Sequence, residues 1–160
     1  MKKQLLTLLI PCLLTLSLIA SKPIDIQDVT AGMADFPGNS TPDYPFSRAM
    51  RAGDFVYISG QIGATADGKL AGDFAAQSKQ TMDNIVAVLT EQGLTTDDVV
   101  KCTVMIGDMA KWPEFNAIYR TYFKEGRFPA RSAFGANGLA LGAALEVDCV
   151  AYAPMKAKTK

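Results

Sequence analysis

The chain has 160 residues, 49% of them hydrophobic and 20% charged, with sixteen basic and sixteen acidic side chains and no histidine. That length suffices for one domain around one core, and the balanced charge supplies no basic face for nucleic acid. Without histidine, acid–base chemistry near neutral pH falls to a carboxylate, a tyrosine, a lysine or water.

The N-terminus reads MKKQLLTLLIPCLLTLSLIAS: two lysines, an uncharged apolar run, then Ala20 and Ser21. This pattern predicts a secretory signal peptide over residues 1–20, in preference to a retained anchor, and an exported, periplasmic or secreted product. Cys12 lies inside the apolar run after Ile-Pro, which does not suit a lipoprotein. With Lys2 and Lys3 removed, fourteen cationic side chains face sixteen acidic ones. Residues 21–44, rich in Pro, Gly, Asp, Ser and Thr without periodicity, read as an irregular lead-in. A folded domain is expected over residues 45–154, followed by a basic tail at 155–160.

Within that domain, Ala52-Gly53-Asp54 separates two strand-like runs, so residues 46–63 predict a hairpin whose second run ends at Ser59-Gly60-Gln61. A glycine at 60 allows close approach to the backbone. Phe74, Ser78, Met82, Ile85 and Leu89 recur at helical spacing after a cap at Asp73 and before a stop at Gly93. The β-branched-rich run DDVVKCTVMIGDM, residues 97–109, predicts a strand with Cys102, Val104 and Ile106 on one face. A second helix is expected over residues 112–126, with Pro113 in its first turn and Gly126 as its stop. Its aromatic stripe, Trp112, Phe115, Tyr119 and Tyr122, reads as packing. After a turn at Asn137-Gly138, the final run alternates Leu145, Val147, Cys149 and Ala151 with Glu146, Asp148, Val150 and Tyr152, which predicts a strand with one buried face. The order β-β-α-β-α-β implies one α+β domain, a mixed sheet with two helices on one face. In an oxidising compartment Cys102 and Cys149 could pair, but the favoured reading is two buried free thiols, since strand interiors suit disulfides poorly.

Chemistry centres on Arg131, in FPARSAFG, and on Glu146. The arginine has no acidic neighbour in sequence. One reading is a shared cleft in which a guanidinium grips a carboxylate and Glu146 steers water or a proton; the other is a structural Arg131–Glu146 salt bridge. Asp148 is the weaker site candidate. Phosphate loops, the GxSxG elbow, HExxH and paired CxxC are all absent. Ser132 has no histidine to activate it. Two cysteines without histidine make no zinc site.

PFSRAMRAGDFVYISGQIG, the run from QSKQTMDNIV to VMIGDM, FNAIYRTYF, FPARSAFG and ALEVDCVAYAP together resemble the reactive intermediate deaminases, the RidA or YjgF family, from about Pro45 to Pro154. The resemblance implies a chorismate-mutase-like α+β fold and a homotrimer with clefts between subunits. It implies hydrolysis of 2-enamine and 2-imino acids to 2-oxo acids and ammonia with no cofactor or metal. It assigns Arg131 to the substrate carboxylate and Glu146 to the attacking water. Ser59 and Gly60 would line the pocket, Asn116 would lie at its edge, and the Ala133 backbone would face the ligand. Phe46 stands where deaminase members often carry a tyrosine. The alternative is a non-catalytic trimer that binds or senses small carboxylic acids. Partners are thus a small carboxylate-bearing imine or 2-oxo acid and other copies of the chain, with no nucleic acid and, after signal cleavage, no membrane.

Overall fold

A computed structural model describes residues 45–154 of the chain. The predicted signal peptide, lead-in and basic tail lie outside the described residues.

The hairpin forms as its turn chemistry dictates. Strand β1 (Ala49–Ala52) and β2 (Phe55–Ile62) pair antiparallel across Gly53-Asp54. Gly53 takes a φ of 58°, which a side chain would disfavour. Helix α1 (Phe74–Glu91) begins where Asp73 accepts a hydrogen bond from the Ala76 N–H at 2.9 Å, relieving one unpaired donor of the first turn. Its predicted stripe is the buried face: Ser78, Met82, Ile85 and Leu89 are buried and Phe74 packs against the same core. The Ser78 hydroxyl donates back to the Phe74 carbonyl at 2.7 Å, so its burial leaves no unmet polar group.

Strand β3 (Val99–Ile106) follows, then helix α2 (Trp112–Tyr119), with Pro113 in its first turn. The helix is shorter than its sequence suggested. It tightens into a 3-10 turn at Arg120–Tyr122 and Phe123 is already extended, so Gly126, at φ 77°, serves the following turn rather than the helix stop. Strand β4 (Ala130–Gly135) and β5 (Leu145–Tyr152) complete the domain. The observed order is therefore β-β-α-β-α-β-β, one strand beyond the predicted pattern, because FPARSAFG itself forms β4.

The sheet runs β1-β2-β5-β3-β4. Only β3 and β4 pair in parallel, joined through α2, so the sheet is mixed. Val56, Ile58, Cys102, Val104, Ile106, Leu145, Val147, Cys149 and Ala151 project from one face into a core closed by both helices. Burying this face provides the main driving force for the fold.

Cys102 and Cys149 correct the sequence reading, which took them as free thiols. They form a disulfide. The register explains it: the two residues sit directly opposite on antiparallel β3 and β5, with Cα atoms 4.1 Å apart. Only the close pairs of an antiparallel ladder come that near, and both side chains then project to the same face.

Candidate functional site

Arg131 is the second residue of the edge strand β4, beside Cys102 in the parallel register. Register neighbours share a face. Cys102 faces the helices, so Arg131 does too, and it meets α2. That helix offers Trp112, Asn116 and Tyr119 at positions i, i+4 and i+7, one continuous stripe. The guanidinium carbon lies 4.4 Å from the ring centroid of Trp112 and 4.4 Å from that of Tyr119. Arg131 Nη2 donates to Asn116 Oδ1 at 2.7 Å. Among the described residues no carboxylate pairs with Arg131. Burial lowers its pKa from the ordinary arginine value, opposed by Tyr119, but a guanidinium stays cationic throughout the working pH range. Burial also pushes the Tyr119 phenol up to about 12, against the pull of Arg131. These groups open on a surface cavity of about 420 Å³ lined by Asn116, Tyr119, Arg120, Phe128, Pro129 and Arg131. Ala133, two residues along β4, lies half-buried beside Val104.

Glu146 occupies a different environment. It is the second residue of β5, opposite Met105 on β3 and Ile62 on β2. The β2–β5 ladder breaks between two registered pairs, Ile58 with Cys149 and Gln61 with Val147. Ser59 and Gly60 therefore face Asp148 alone. This is a bulge, a device that re-aims the local chain. Gly60 is pressed against the glutamate: a Cβ added there would stand 1.8 Å from Glu146 Oε1 and 2.8 Å from its Cδ. The Ser59 hydroxyl donates to the Ser47 carbonyl at 2.6 Å and its N–H to the Arg48 carbonyl at 2.9 Å. Those bonds fasten the segment that carries Phe46, whose ring is 55% exposed. Burial raises the Glu146 pKa above the ordinary carboxylate value, and the nearby Asp148 charge raises it further.

The structure thus sorts the seven sequence candidates into two clusters. Arg131, Asn116 and Ala133 belong to the helix face at the β4 edge. Glu146, Ser59, Gly60 and Phe46 gather around the β2–β5 bulge. Glu146 alternates with the buried residues of β5, so it projects from the face opposite to Arg131. Two strand spacings and three residues along the strands separate the two Cα positions by about 14 Å. An Arg131–Glu146 salt bridge within one chain is excluded by this arrangement, and so is a cleft shared within one chain. Trp112 and Tyr119 were read as packing only. Their spacing with Asn116 was the available signal, but nothing in the sequence tied that stripe to Arg131. Among the described residues no group of three or more histidine, cysteine, aspartate or glutamate side chains is arranged to hold a metal.

The fold and these clusters define a small α+β protein that offers an anion-ready guanidinium and a separate carboxylate of raised pKa. The chain belongs to the RidA/YjgF family: residues 38–153 match the family described as Endoribonuclease L-PSP. A RutC family protein of Aquifex aeolicus is 40% identical over 117 residues, 72% of this chain and 94% of the relative. The mouse 2-iminobutanoate/2-iminopropanoate deaminase is 36% identical over 109 residues, 67% of this chain and 80% of its own. Among solved structures, yeast Mmf1 aligns at TM-score 0.66 with 36% identity, covering 71% of this chain and 90% of that one. The YjgF gene product of E. coli aligns at TM-score 0.65 with 32% identity, covering 69% and 89%.

Proposed function

We propose that this protein hydrolyses 2-imino and 2-enamino acids to 2-oxo acids and ammonia, in a site completed between the copies of a homotrimer. The observation that carries the reading is the unpaired Arg131 guanidinium, oriented by Asn116 and open to a cavity. A carboxylate supplied by substrate would complete it with charge-assisted, planar hydrogen bonds. The mouse relative's deaminase activity supports the reaction class, and E. coli TdcF, 28% identical with TM-score 0.64 over 68% of this chain and 88% of that one, was crystallised with bound serine, a small amino acid.

In the proposed reaction Glu146 is the base. Its carboxylate takes a proton from water while the oxygen attacks the imine carbon, and the C=N electron pair moves to nitrogen. The resulting carbinolamine carries both the new C–O bond and the amine. The Glu146 carboxyl returns the water proton to that nitrogen and is a carboxylate again; it then takes the hydroxyl proton as the C=O forms and the C–N bond breaks with its electron pair on nitrogen, and passing that proton to the nitrogen releases ammonia. An imine is already electrophilic, so holding water and substrate in place provides much of the acceleration. The raised pKa of Glu146 makes it a stronger base than a free glutamate.

The same geometry supports the assembly. Arg131 and Glu146 face opposite sides of one sheet, so a cleft containing both requires Glu146 from one copy and Arg131 from another. The face that carries Glu146 leaves Phe55, Tyr57, Phe134 and Tyr152 at 40%, 50%, 49% and 45% exposure, and neither helix covers it. Aromatic side chains gathered on an open sheet face suit contact with further copies. Export is the proposed location; the Cys102–Cys149 bond fits an oxidising compartment.

The test is an assay in which an amino-acid oxidase generates the imine and semicarbazide competes for it. Wild-type protein is expected to divert imine to 2-oxo acid, and Arg131→Ala to lose that activity. Equal activity in both would overturn the assignment. Phe46, which lacks the tyrosine hydroxyl, favours the second reading of a non-catalytic carboxylate binder. That reading predicts 2-oxobutyrate binding without turnover.

A further inference from the structure

The Arg131 guanidinium touches two aromatic rings that neither the family resemblance nor the proposed reaction assigns. Trp112 and Tyr119 stand seven residues apart on α2, two helical turns or about 10.5 Å along the axis. Each ring centroid lies 4.4 Å from the guanidinium carbon. Both rings of this two-turn stripe thus converge on one guanidinium. Asn116 lies between them in sequence, and its Oδ1 accepts the in-plane bond from Nη2. Two ring faces and one amide oxygen therefore meet the cation on its helix side, and its remaining N–H donors are left for a ligand.

We propose that Trp112 and Tyr119 are positioning residues that make Arg131 a clamp for one planar carboxylate. The proposal rests on the carboxylate-binding role of Arg131 given above. A guanidinium has five N–H donors in one plane and no acceptor. The two rings keep water from part of the cation and narrow the directions from which a ligand can reach it. Asn116 takes one Nη2 donor and fixes rotation within the plane. The edge left facing the cavity suits the two coplanar oxygens of a carboxylate. It suits the tetrahedral oxygens of a phosphonate less well. The aromatic faces also stabilise the cation once water is gone, an effect that is greatest where the pair is desolvated.

Tyr119 separates ring from hydroxyl. Its hydroxyl is buried and has no hydrogen-bond partner among the described residues. The ring is therefore the part that acts on Arg131, and Phe should replace it fully.

The test measures turnover of oxidase-generated imine, and binding of 2-oxobutyrate and of acetylphosphonate by calorimetry. The proteins are the wild type, Trp112→Leu, Trp112→Phe, Tyr119→Leu and Tyr119→Phe, with thermal melts on each. The Leu variants are expected to raise KM and the 2-oxobutyrate Kd by about 5- to 30-fold, the loss of one cation–π contact. Their kcat should stay within about twofold, since Glu146 is untouched. They should also bind acetylphosphonate nearly as well as 2-oxobutyrate. Both Phe variants should behave as wild type. Trp112 is only half-buried, so Trp112→Leu keeps the test open if Tyr119→Leu fails to fold. Unchanged 2-oxobutyrate affinity in a folded Leu variant would overturn the proposal, as would kcat falling in step with the rise in KM. If wild-type protein binds 2-oxobutyrate without turning over imine, the deaminase reading fails and the clamp is still judged by binding. If wild-type protein does neither, both readings fail together.

Discussion

Gly60→Ala tests whether the position of Glu146, and not only its presence, drives the proposed reaction. The added methyl would stand 1.8 Å from Glu146 Oε1 and 2.8 Å from its Cδ. Ordinary contact needs about 3.4 Å, so one of the two groups must yield by about 1.6 Å. The Gly60 backbone is held in the β2–β5 bulge between registered pairs, whereas the glutamate is the free end of a flexible side chain. The carboxylate is therefore what moves. A misplacement of about 1 Å can cost about 100-fold in rate, so kcat should fall at least about 100-fold. Binding of 2-oxobutyrate should hold within about twofold, because the substitution leaves Arg131, the proposed carboxylate contact, in place. Thermal melts should shift little, since the clash is relieved by one partly exposed side chain. The effect should also vanish in a Glu146→Gln background, where no base remains to displace; this non-additivity separates displacement from general damage. Wild-type kcat in Gly60→Ala, with the substitution confirmed and the protein folded, would refute the role given to Glu146.

Three further predictions follow from the fold and the electrostatics. Burial and the Asp148 charge raise the Glu146 pKa from its ordinary 4.5, so the acid limb of kcat should lie above that value and move to lower pH in Asp148→Asn. Because the folded state holds that proton more tightly, the stability it confers is complete below pH 4.5 and lost as pH rises through the raised value. Glu146→Gln should therefore melt higher than wild type near pH 8 and not near pH 4; a gain only at acid pH would contradict the shift. The Cys102–Cys149 bond spans a sequence separation of 47, and closing such a loop stabilises by about 4 kcal/mol in the chain-entropy account. Urea unfolding of the Cys102→Ala, Cys149→Ala double variant should show most of that loss. An unchanged midpoint would mean that the bond adds nothing. Tyr57→Lys places a charge on the open sheet face and should convert the proposed trimer to smaller species by light scattering, with the proposed imine hydrolysis lost while 2-oxobutyrate binding weakens less. A trimer that persists with full activity would remove that face from the interface.

Much of the fold was legible because single side chains decide it. Asp73 and Gly93 bracket α1, Gly53 turns the hairpin, and alternation along residues 145–152 gives β5 its buried face. The end of α2 was not legible: the apolar and aromatic spacing runs on through Tyr122, while the chain tightens to a 3-10 turn from Arg120. Nor was the disulfide, because sequence shows two strand-borne cysteines but not the register that sets them opposite each other. The candidate site divides in the same way. Arg131 and Glu146 stand out by residue type, yet their separation depends on strand order, which places β3 between β4 and β5.

That strand order also bears on how the site can be built. Arg131 takes its face from Cys102, its register partner, and Glu146 takes its face by alternating with Leu145 and Val147. To bring both into one cleft inside a single chain would require a one-residue slip of β4 or β5. A slip of β5 would expose the core set Leu145, Val147, Cys149 and Ala151 and break the register of the disulfide. A slip of β4 would pull Arg131 away from Trp112 and Tyr119. Both costs fall on groups that the fold buries, so the register is fixed. The open aromatic face and the edge strand then become linked parts of one requirement. In the proposed assembly, the surface covered by another copy is the surface that carries the proposed base, and the residue that would meet it across the boundary is the arginine on β4. Catalysis in this reading depends on assembly through the register of one sheet. Substitutions on the open face should therefore reduce turnover before they reduce the stability of the single domain.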